Sequence, residues 1–332
     1  MKLRYLGYPC TNVTLNTTTG RTVRLANLTD EKAEAVAREN LTTLTKMLEW
    51  NFTQGIHFLR IGSSIIPLAS HEAFPFDWRE RFEKELTYIR DFTRQHAMRL
   101  SMHPGQYTVL NSPKEAVVKA SVRELEYHAT FLDAVDPNSG TMTLHAGGAY
   151  GDKVAALERL EENIELLSPL AKGKLTLEND DRTFHTEDIL SVCERMGLPV
   201  IFDFFHHKLN PVHERWDEGL VPLVERVVKT WGGRIPKFHL SSPRDFTTAH
   251  ADFVELGDFL QVTDTLGQIG GDEPYDVMLE AKQKDVALLR LLEEARSSVS
   301  SDEESLKALR GSVLKYNEPL EPTGVEDWEA LK

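Results

Sequence analysis

Histidine and carboxylate residues stand at the ends of short apolar runs along the chain, in a pattern typical of metal binding. The six run-end residues are His103, His145, Glu178, Asp203, His239 and Glu280. His206 follows Asp203 by three residues and is a seventh candidate. Burying several carboxylates around one axis is unfavourable unless cations compensate them. Imidazole and carboxylate ligands with no cysteine nearby favour Zn, Mn or Fe.

The size of this ligand set indicates how many ions it serves. One ion rarely takes more than about six ligands, so we expect two or three divalent ions, with a glutamate bridging a pair. Two ions roughly 3.5–4 Å apart can activate a water molecule and stabilise an in-line displacement at phosphorus. The predicted chemistry is therefore metal-assisted phosphodiester hydrolysis.

Lys237 stands two residues before His239 and so shares its face of the strand. One interpretation is a salt bridge to Glu178 or another buried acid. The other is a lysine converted by carbon dioxide into a carbamate, which would turn a repelled cation into a metal ligand. The residues alone leave both interpretations open.

The segment His103-Pro104-Gly105-Gln106-Tyr107 follows the third apolar run. Pro-Gly favours a tight turn that projects Gln106 and Tyr107 outwards. An exposed Gln-Tyr pair can wedge into a duplex, with the tyrosine stacking on bases. Alternatively, Tyr107 packs on its own loop.

Eight β-rich runs alternate with eight segments of helical spacing. The runs are Leu3–Pro9, Ile56–Ile61, Arg99–His103, Thr141–His145, Lys174–Glu178, Pro199–Phe204, Ile235–Leu240 and Asp276–Glu280. The helical segments are Thr29–Trp50, Asp77–His96, Pro113–Val135, Gly151–Leu170, Thr186–Met196, Glu218–Trp231, Asp252–Thr263 and Gln283–Arg296. This order predicts an α/β fold, a single (β/α)8 TIM barrel, whose strand ends build the active site.

A doubly wound open sheet is the competing α/β fold. No glycine-rich phosphate loop follows the first run, so the barrel is favoured. Within Thr141–His145, side chains alternate, so Met142 and Leu144 face away from His145 and leave it in the barrel interior.

The composition and length of the chain limit its possible functions and its domain organisation. The chain has 332 residues, with 38 basic and 52 acidic side chains and a net charge of −14. That charge argues against a protein that coats DNA generally. No apolar run approaches the roughly 20 residues of a spanning helix, and only Cys10 and Cys193 are present, which favours the cytoplasm. We expect a barrel domain over 1–296 and an acidic C-terminal extension over 297–332.

Eight segments together carry a family resemblance. They are Leu6-Gly7-Tyr8-Pro9-Cys10 with Asn12, Arg60-Ile61-Gly62-Ser63-Ser64, Ser101-Met102-His103-Pro104-Gly105-Gln106-Tyr107, Leu144-His145-Ala146-Gly147-Gly148, Leu177-Glu178-Asn179-Asp180-Asp181, Asp203-Phe204-Phe205-His206-His207, Lys237-Phe238-His239-Leu240-Ser241-Ser242 and Met278-Leu279-Glu280-Ala281-Lys282. Over roughly residues 1–295 the sequence resembles the UV damage endonucleases, metal-dependent barrel enzymes related in architecture to endonuclease IV.

The resemblance implies roles for particular residues. The positions that match the family's ligands to as many as three divalent ions, usually manganese with zinc or magnesium as alternatives, are His103, His145, Glu178, Asp203, His206, His239, His250 and Glu280. Gln106 and Tyr107 match the residues inserted into the duplex opposite the lesion. Tyr8 and Asn12 match positions near the flipped lesion and the scissile phosphate. Lys237 matches the lysine that is carboxylated, so the catalytic group implied is Glu178, Lys237 and Tyr8.

The resemblance also implies a reaction and a partner. The family nicks UV-damaged double-stranded DNA immediately 5′ to cyclobutane pyrimidine dimers and 6-4 photoproducts, leaves a 3′-hydroxyl, and in many members accepts abasic sites. We expect a monomer without an obligate protein partner, in the cytoplasm at the nucleoid, with a local basic strip formed by Arg60, Arg182, Lys208 and Arg244.

The rival functions are a metal-dependent sugar isomerase or epimerase of TIM-barrel type, and a metal-binding protein without catalysis.

Overall fold

Eight parallel strands close into one barrel in the computed structural model, which describes residues 1–245 and 247–298. The strands of the described residues are β1 Lys2–Pro9, β2 Thr11–Asn12, β3 Thr17–Thr18, β4 Phe58–Ile61, β5 Arg99–Met102, β6 Thr141–His145, β7 Leu175–Glu178, β8 Val200–Asp203, β9 Lys237–Leu240 and β10 Pro274–Leu279. The barrel order is β1-β10-β9-β8-β7-β6-β5-β4, and β4 pairs with β1. The predicted TIM-barrel fold is confirmed. The short β2 and β3 form a separate two-stranded sheet.

Helices connect successive strands. They are α1 Asp30–Thr53, α2 Trp78–Arg81, α3 Glu83–Gln95, α4 Glu115–Val135, α5 Lys153–Ile164, α6 Pro169–Lys174, α7 Thr186–Met196, α8 Phe204–Leu209, α9 Leu220–Thr230, α10 Leu256–Gln268 and α11 Lys284–Ser298. Thr29 and Asp77 cap α1 and α2 by accepting hydrogen bonds from backbone N–H groups, as their positions predict.

Two predicted helices are each divided in the structure. The segment Asp77–His96 breaks at Phe82, whose backbone leaves the helical region (φ −117°, ψ 24°). The segment Gly151–Leu170 breaks after Ile164, and α6 starts anew with Ser168 as its N-cap and Pro169 in its first turn. Ser168 followed by Pro169 therefore signals a new helix that periodicity alone does not reveal, whereas Phe82 makes no side-chain cap and gives no such signal.

Alternation along the strands separates two buried environments. Met142, Leu144 and Leu177 belong to the large hydrophobic cluster shared with the helices, which confirms that they face away from the barrel axis. Strand neighbours with the opposite orientation fill the interior, and these include the polar side chains of Arg99, Lys237 and Asp276. The barrel interior is thus polar along much of its length, which fits a fold that positions charged groups.

The predicted extension over 297–332 lies almost wholly outside the described residues. Ser297 and Ser298 form the end of α11. The boundary at residue 296 stays a prediction. No helix among the residues that the structure describes is long and apolar enough to cross a membrane.

Candidate metal centre

Strand register places the predicted ligands at one end of the barrel. His145 on β6 is directly opposite Glu178 on β7, and Asp203 on β8 is opposite His239 on β9. All four lie at or next to the carboxyl ends of their strands. Parallel pairing without a register shift therefore converts four positions that are far apart in sequence into one cluster.

Glu178 lies at the centre of this cluster and is almost fully buried. Its Oε1 atom lies 2.8 Å from Nδ1 of His239, and its Oε2 atom lies 3.2 Å from Nε2 of His103. Nε2 of His145 is 3.4 Å from the same Oε2 atom. The two oxygens of one carboxylate thus face imidazoles from different strands, as a bridging ligand requires.

Two groups of candidate ligands share Glu178. In the first group, ligand atoms of His103, His145 and Glu178 all lie within 4.8 Å of one another. In the second, ligand atoms of Glu178, Asp203 and His239 meet the same limit. A shared carboxylate between two such groups is the arrangement expected for a pair of neighbouring divalent ions.

Three buried polar atoms in the cluster have no hydrogen-bond partner among the described residues. They are Oδ2 of Asp203, Nε2 of His239 and Nδ1 of His145. A buried polar atom without a partner costs about 1–3 kcal/mol, so native proteins rarely leave several together. Asp203 is held in place by its other oxygen, Oδ1, which accepts from the backbone N–H groups of Phe205 and His206 at 2.8 Å each. The residues present therefore fit bound cations.

Three histidines are oriented by backbone carbonyl groups. Nδ1 of His103 lies 3.1 Å from the Pro104 carbonyl oxygen, Nδ1 of His206 lies 3.0 Å from that of Asn179, and Nδ1 of His250 lies 2.9 Å from that of Glu280. Donation from Nδ1 fixes the tautomer that leaves Nε2 free to bind a metal ion. Metal-ligating histidines characteristically have this arrangement, which is a second indication that the site fits metal ions.

The remaining predicted ligands border the same cluster. His206 approaches both Glu178 and Asp203, with Nδ1 3.8 Å and 3.9 Å from their oxygens. Nδ1 of His239 is 3.3 Å from Oε1 of Glu280. Nδ1 of His250 is 3.7 Å from the other oxygen of Glu280. The structure therefore brings all eight predicted ligands together, although their roles as ligands stay a prediction.

His250 and Asn179 show what pattern analysis of the strands misses. His250 enters the cluster from the loop after β9, where a backbone bridge to Pro243 and the hydrogen bond to the Glu280 carbonyl position it. Asn179 joins β7 to β8, because its Oδ1 accepts from the Asp203 N–H at 2.9 Å and its Nδ2 donates to the Asp203 carbonyl at 3.1 Å. Asn179 lies within a quoted family segment, but no signal in the residues alone indicated this positioning role.

The electrostatics of the cluster reflect its many carboxylates. Burial alone would raise the pKa of Glu178, but the imidazoles of His239 and His145 hold that pKa well below its usual range. Burial lowers the pKa of His145. For His206, burial acts in the same direction, yet Asp203 and Glu178 outweigh it and raise the pKa to about 9. The cluster therefore attracts positive charge strongly.

Lys237 is completely buried in the barrel interior. Its Nζ atom donates to Oγ1 of Thr143 at 2.9 Å and to Oγ1 of Thr141 at 3.4 Å, and it forms no ion pair with a carboxylate of the described residues. Burial, followed by repulsion from Arg99 and Arg60, lowers the pKa of Lys237 well below its usual range. The salt bridge considered from the sequence is thus not formed here.

The turn after β5 projects its two predicted wedge residues into solvent. The Thr108 N–H donates to the Gly105 carbonyl at 2.9 Å and closes the turn. Tyr107 is 85% exposed, and Gln106 is also exposed, so Tyr107 does not pack on its own loop. Beside the turn lies a cavity of about 360 Å³, lined by Gln106 together with His103 and Glu280 of the metal cluster.

Tyr8 and Asn12, which the resemblance places near the lesion and the scissile phosphate, form a buried hydrogen-bonded pair. Both are completely buried. The Tyr8 hydroxyl donates to Oδ1 of Asn51 at 2.7 Å and accepts from Nδ2 of Asn12 at 2.8 Å. Burial raises the pKa of the Tyr8 phenol. Neither side chain is exposed to solvent, and their roles near the lesion stay predictions.

One of the four residues expected to form an exposed basic strip does not lie on the surface. Arg60 lies on β4, is mostly buried, and forms an ion pair with Glu280 of the metal cluster, so it is not part of an exposed surface. Lys208 pairs with Asp258 at 2.6 Å. Arg182 and Arg244 are exposed, each near an adjacent acid. The sequence could not show this because an arginine on a strand is as compatible with a buried ion pair as with an exposed cation.

A family model described as UV-endonuclease UvdE matches residues 4–317 of the chain. The chain belongs to this family. Among its relatives, the UV DNA damage endonuclease of Bacillus velezensis is 39% identical over 287 residues, which cover 85% of this chain and 87% of that protein. The predicted resemblance to UV damage endonucleases is therefore confirmed.

Solved structures agree on the architecture. The crystal structure of SacUVDE is similar with a TM-score of 0.81 and 35% identity, covering 89% of this chain and 99% of that one. Endonuclease IV from Thermus thermophilus is similar with a TM-score of 0.53 and 14% identity, covering 90% of this chain and 100% of that one. The second likeness shows a shared fold alone, as the architectural relationship predicted.

Proposed function

We propose that the protein is a metal-dependent endonuclease of DNA repair, which hydrolyses the phosphodiester immediately 5′ to a UV photoproduct and leaves a 3′-hydroxyl. The proposed lesions are cyclobutane pyrimidine dimers and 6-4 photoproducts, with abasic sites as further substrates. The orientation of the Glu178 carboxylate is the main support for this proposal, because one oxygen faces His239 and the other faces His103. Membership of the UV-endonuclease UvdE family supports the same conclusion.

Two or three divalent ions are proposed for the cluster, with manganese preferred over zinc or magnesium. The residues that would hold them are His103, His145, Glu178, Asp203, His206, His239, His250 and Glu280. When bound, such ions supply a water molecule of lowered pKa and stabilise charge that develops at phosphorus. The chain itself contributes orientation: backbone carbonyl groups fix the imidazole tautomers, and the backbone N–H groups of Phe205 and His206 hold Asp203.

Recognition of the lesion is assigned to the exposed turn. Tyr107 and Gln106 project where they can enter a duplex, with Tyr107 stacking on bases and Gln106 facing the vacated pairing positions. Extrusion of the lesion costs a few kcal/mol, and less where damage has already weakened the stack. The cavity of about 360 Å³ between the turn and the cluster is the proposed receptor for the flipped nucleotides.

Lys237 is proposed to carry a carbamate. Its buried environment disfavours the ammonium form, because desolvation and nearby Arg99 lower its pKa. The neutral amine is the form that attacks carbon dioxide: the nitrogen–carbon bond forms as one carbon–oxygen π bond breaks, the nitrogen releases a proton to solvent, and a carbamate anion results. Native mass spectrometry near neutral pH should show the added mass of carbon dioxide, which acid treatment removes. Only unmodified Lys237 under native conditions would contradict this assignment.

The proposed partner is UV-damaged duplex DNA, bound by a monomer in the cytoplasm at the nucleoid. A net charge of −14 should make binding to intact DNA weak at physiological salt. Selectivity would then depend on the flexibility of the damaged duplex.

A plasmid assay tests the function. Supercoiled plasmid irradiated with UV light should be nicked in the presence of Mn²⁺, whereas unirradiated plasmid should stay supercoiled and EDTA should abolish nicking. Equal absence of nicking in both plasmids, or nicking that survives EDTA, would contradict the proposal. Turnover of small ketoses without DNA binding would favour the sugar isomerase or epimerase instead.

A further inference from the structure

A second cavity lies at the end of the barrel opposite the metal cluster. It has a volume of about 420 Å³, within the range of small-molecule pockets. Its lining includes Arg99 and Thr141, the first residues of β5 and β6, and Lys174, which directly precedes β7. We call this region the barrel floor. The function proposed above makes no use of it.

Cations from four separate parts of the chain line the floor. They are Arg4, Arg99, Lys174 and Arg234, and the lining contains one acid, Asp133. Two carboxylates stand behind the lining: Asp276 pairs with Arg4 and Arg99, and Asp136 lies near Lys174. Four cations against three acids leave a charge of +1, in a chain whose net charge is −14. A local excess of positive charge is unexpected in a protein whose net charge is strongly negative.

The innermost cation has an unused donor. Arg99 donates from one terminal nitrogen to Asp276 at 2.7 Å and to the Ile235 carbonyl at 3.1 Å. Its Nε atom is buried and has no hydrogen-bond partner among the described residues. The side chain is only 4% exposed and its guanidinium lies 5.5 Å from the centre of the Trp231 ring, so Arg99 contributes a positive charge to the cavity wall while one of its donors stays unsatisfied by the described residues.

The cations of the floor also lie close enough to repel one another. Partial burial and then repulsion from Arg99 lower the pKa of Arg234. Burial lowers the pKa of Lys174, even though Asp133 and Asp136 act against it. An anion in the cavity would relieve both the desolvation and the repulsion.

We propose that the barrel floor binds a small phosphate-class oxyanion, either inorganic phosphate or the phosphate group of a mononucleotide. Guanidinium and ammonium donors recognise such anions through charge-assisted hydrogen bonds. The cavity lies at the amino ends of the strands, at the opposite end of the barrel from the cluster around Glu178, so a duplex held at that cluster does not cover it. The site is therefore distinct from the surface that contacts the nucleic acid substrate.

Calorimetric titration of the manganese-loaded full chain with inorganic phosphate tests this site. Arg234→Gln should weaken phosphate binding at the floor about tenfold or more, because a hydrogen bond to a charged group is worth about 1.5–3 kcal/mol. Lys172→Gln is the matched control, since Lys172 lies on the same helix as Lys174, pairs with Glu165 and does not line the cavity. Both variants should nick damaged plasmid as the unmodified protein does.

The arms of the titration separate the possible ligands. Thymidine monophosphate that binds more tightly than phosphate identifies a mononucleotide site, and equal affinities identify a phosphate site. Arg234 is exposed, so the Arg234→Gln variant should fold. Lys174→Met is a second variant that should also weaken phosphate binding, and circular dichroism checks that it is folded. The proposal is overturned if the unmodified protein binds neither ligand at the floor, or if Arg234→Gln and Lys172→Gln bind phosphate with equal affinity.

Discussion

A buried carboxylate lies near each end of the barrel, and the two carboxylates have different partners. At the amino ends of the strands, Asp276 accepts from Nε of Arg4 at 2.9 Å, from Arg99 at 2.7 Å and from the Tyr5 N–H at 3.2 Å. At the carboxyl ends, Glu178 faces imidazoles, two of which leave a ring nitrogen without a partner among the described residues.

This difference in partners distinguishes a carboxylate that stabilises the fold from a carboxylate that can serve function. Asp276 is compensated by permanent cations of the chain, so it needs nothing from solution. Imidazoles compensate Glu178 only when they are protonated or when a metal ion is present. The carboxyl end thus retains buried polar atoms without partners among the described residues, which bound cations would satisfy, whereas the amino end forms an ion-pair network in which Nε of Arg99 lacks a partner among those residues.

Glu178→Gln should have the largest effect on activity. Removing the shared carboxylate should lower bound metal and reduce nicking of irradiated plasmid by on the order of a thousandfold or more, because both ions lose a ligand. Metal analysis and plasmid nicking measure the two effects. The fold should persist, since glutamine has nearly the same volume and keeps hydrogen-bonding groups towards His239 and His103. A Glu178→Gln protein with full metal content and full activity would contradict the difference drawn between the two ends of the barrel.

Asp276→Asn should have the opposite outcome. Loss of this carboxylate leaves Arg99 buried without its partner, so the free energy of unfolding should fall by about 3–5 kcal/mol. Urea denaturation measures the change, and nicking per folded molecule should be retained. Asp272→Asn is the control, because Asp272 pairs with Lys2 at the surface and should cost less than about 1 kcal/mol. Equal stabilities of the two variants would contradict a structural role for the floor.

His206 should make the metal-free protein less stable as the pH rises. Its folded pKa of about 9 lies above the unfolded value near 6.5, so the protonated form stabilises the fold by about 3 kcal/mol below pH 6.5. This stabilisation is lost as the pH rises through 9. Urea denaturation of EDTA-treated protein from pH 6 to 9.5 should show the loss, and His206→Gln should remove it. The same slope in protein and variant would show that His206 does not respond to the carboxylates.

Tyr107→Ala should have the smallest of the four effects. Stacking of an aromatic side chain on a base is worth about 1–3 kcal/mol, so affinity for damaged duplex should fall roughly five- to 150-fold. Fluorescence anisotropy measures the affinity, and metal content should stay unchanged; Gln106→Ala should act in the same direction. Tyr150→Ala, at another exposed tyrosine, is the control. Lost metal in Tyr107→Ala would assign the turn to the metal centre instead of to the DNA.

Strand periodicity predicted the fold and much of the site because it depends on local geometry. In Thr141–His145 and Leu175–Glu178, two-residue alternation decides which side chains face the barrel interior, and parallel pairing then brings the strand ends together. The Pro-Gly turn was predictable from local chemistry, but the exposure of Tyr107 was not, because the residues alone also allowed Tyr107 to pack on its own loop.

Features that depend on tertiary contacts could not be predicted in this way. His250 reaches the cluster through a loop, and only the family resemblance indicated it. The pairing of Arg60 with Glu280 joins residues 220 positions apart, and the burial of Tyr8 depends on Asn51 in α1. Local sequence carries no information about which distant partner such a side chain meets.

We expect the carboxyl end of the barrel to be a metal centre that cuts DNA beside UV damage. An end-labelled duplex with a single cyclobutane thymine dimer tests it most directly. With Mn²⁺, we predict one cut at the phosphodiester immediately 5′ to the dimer, with a 3′-hydroxyl that a polymerase can extend. The undamaged duplex, EDTA-treated protein and Glu178→Gln should give no cut. Cleavage of damaged and undamaged duplex at equal rates, or cleavage that persists in EDTA, would contradict the claim.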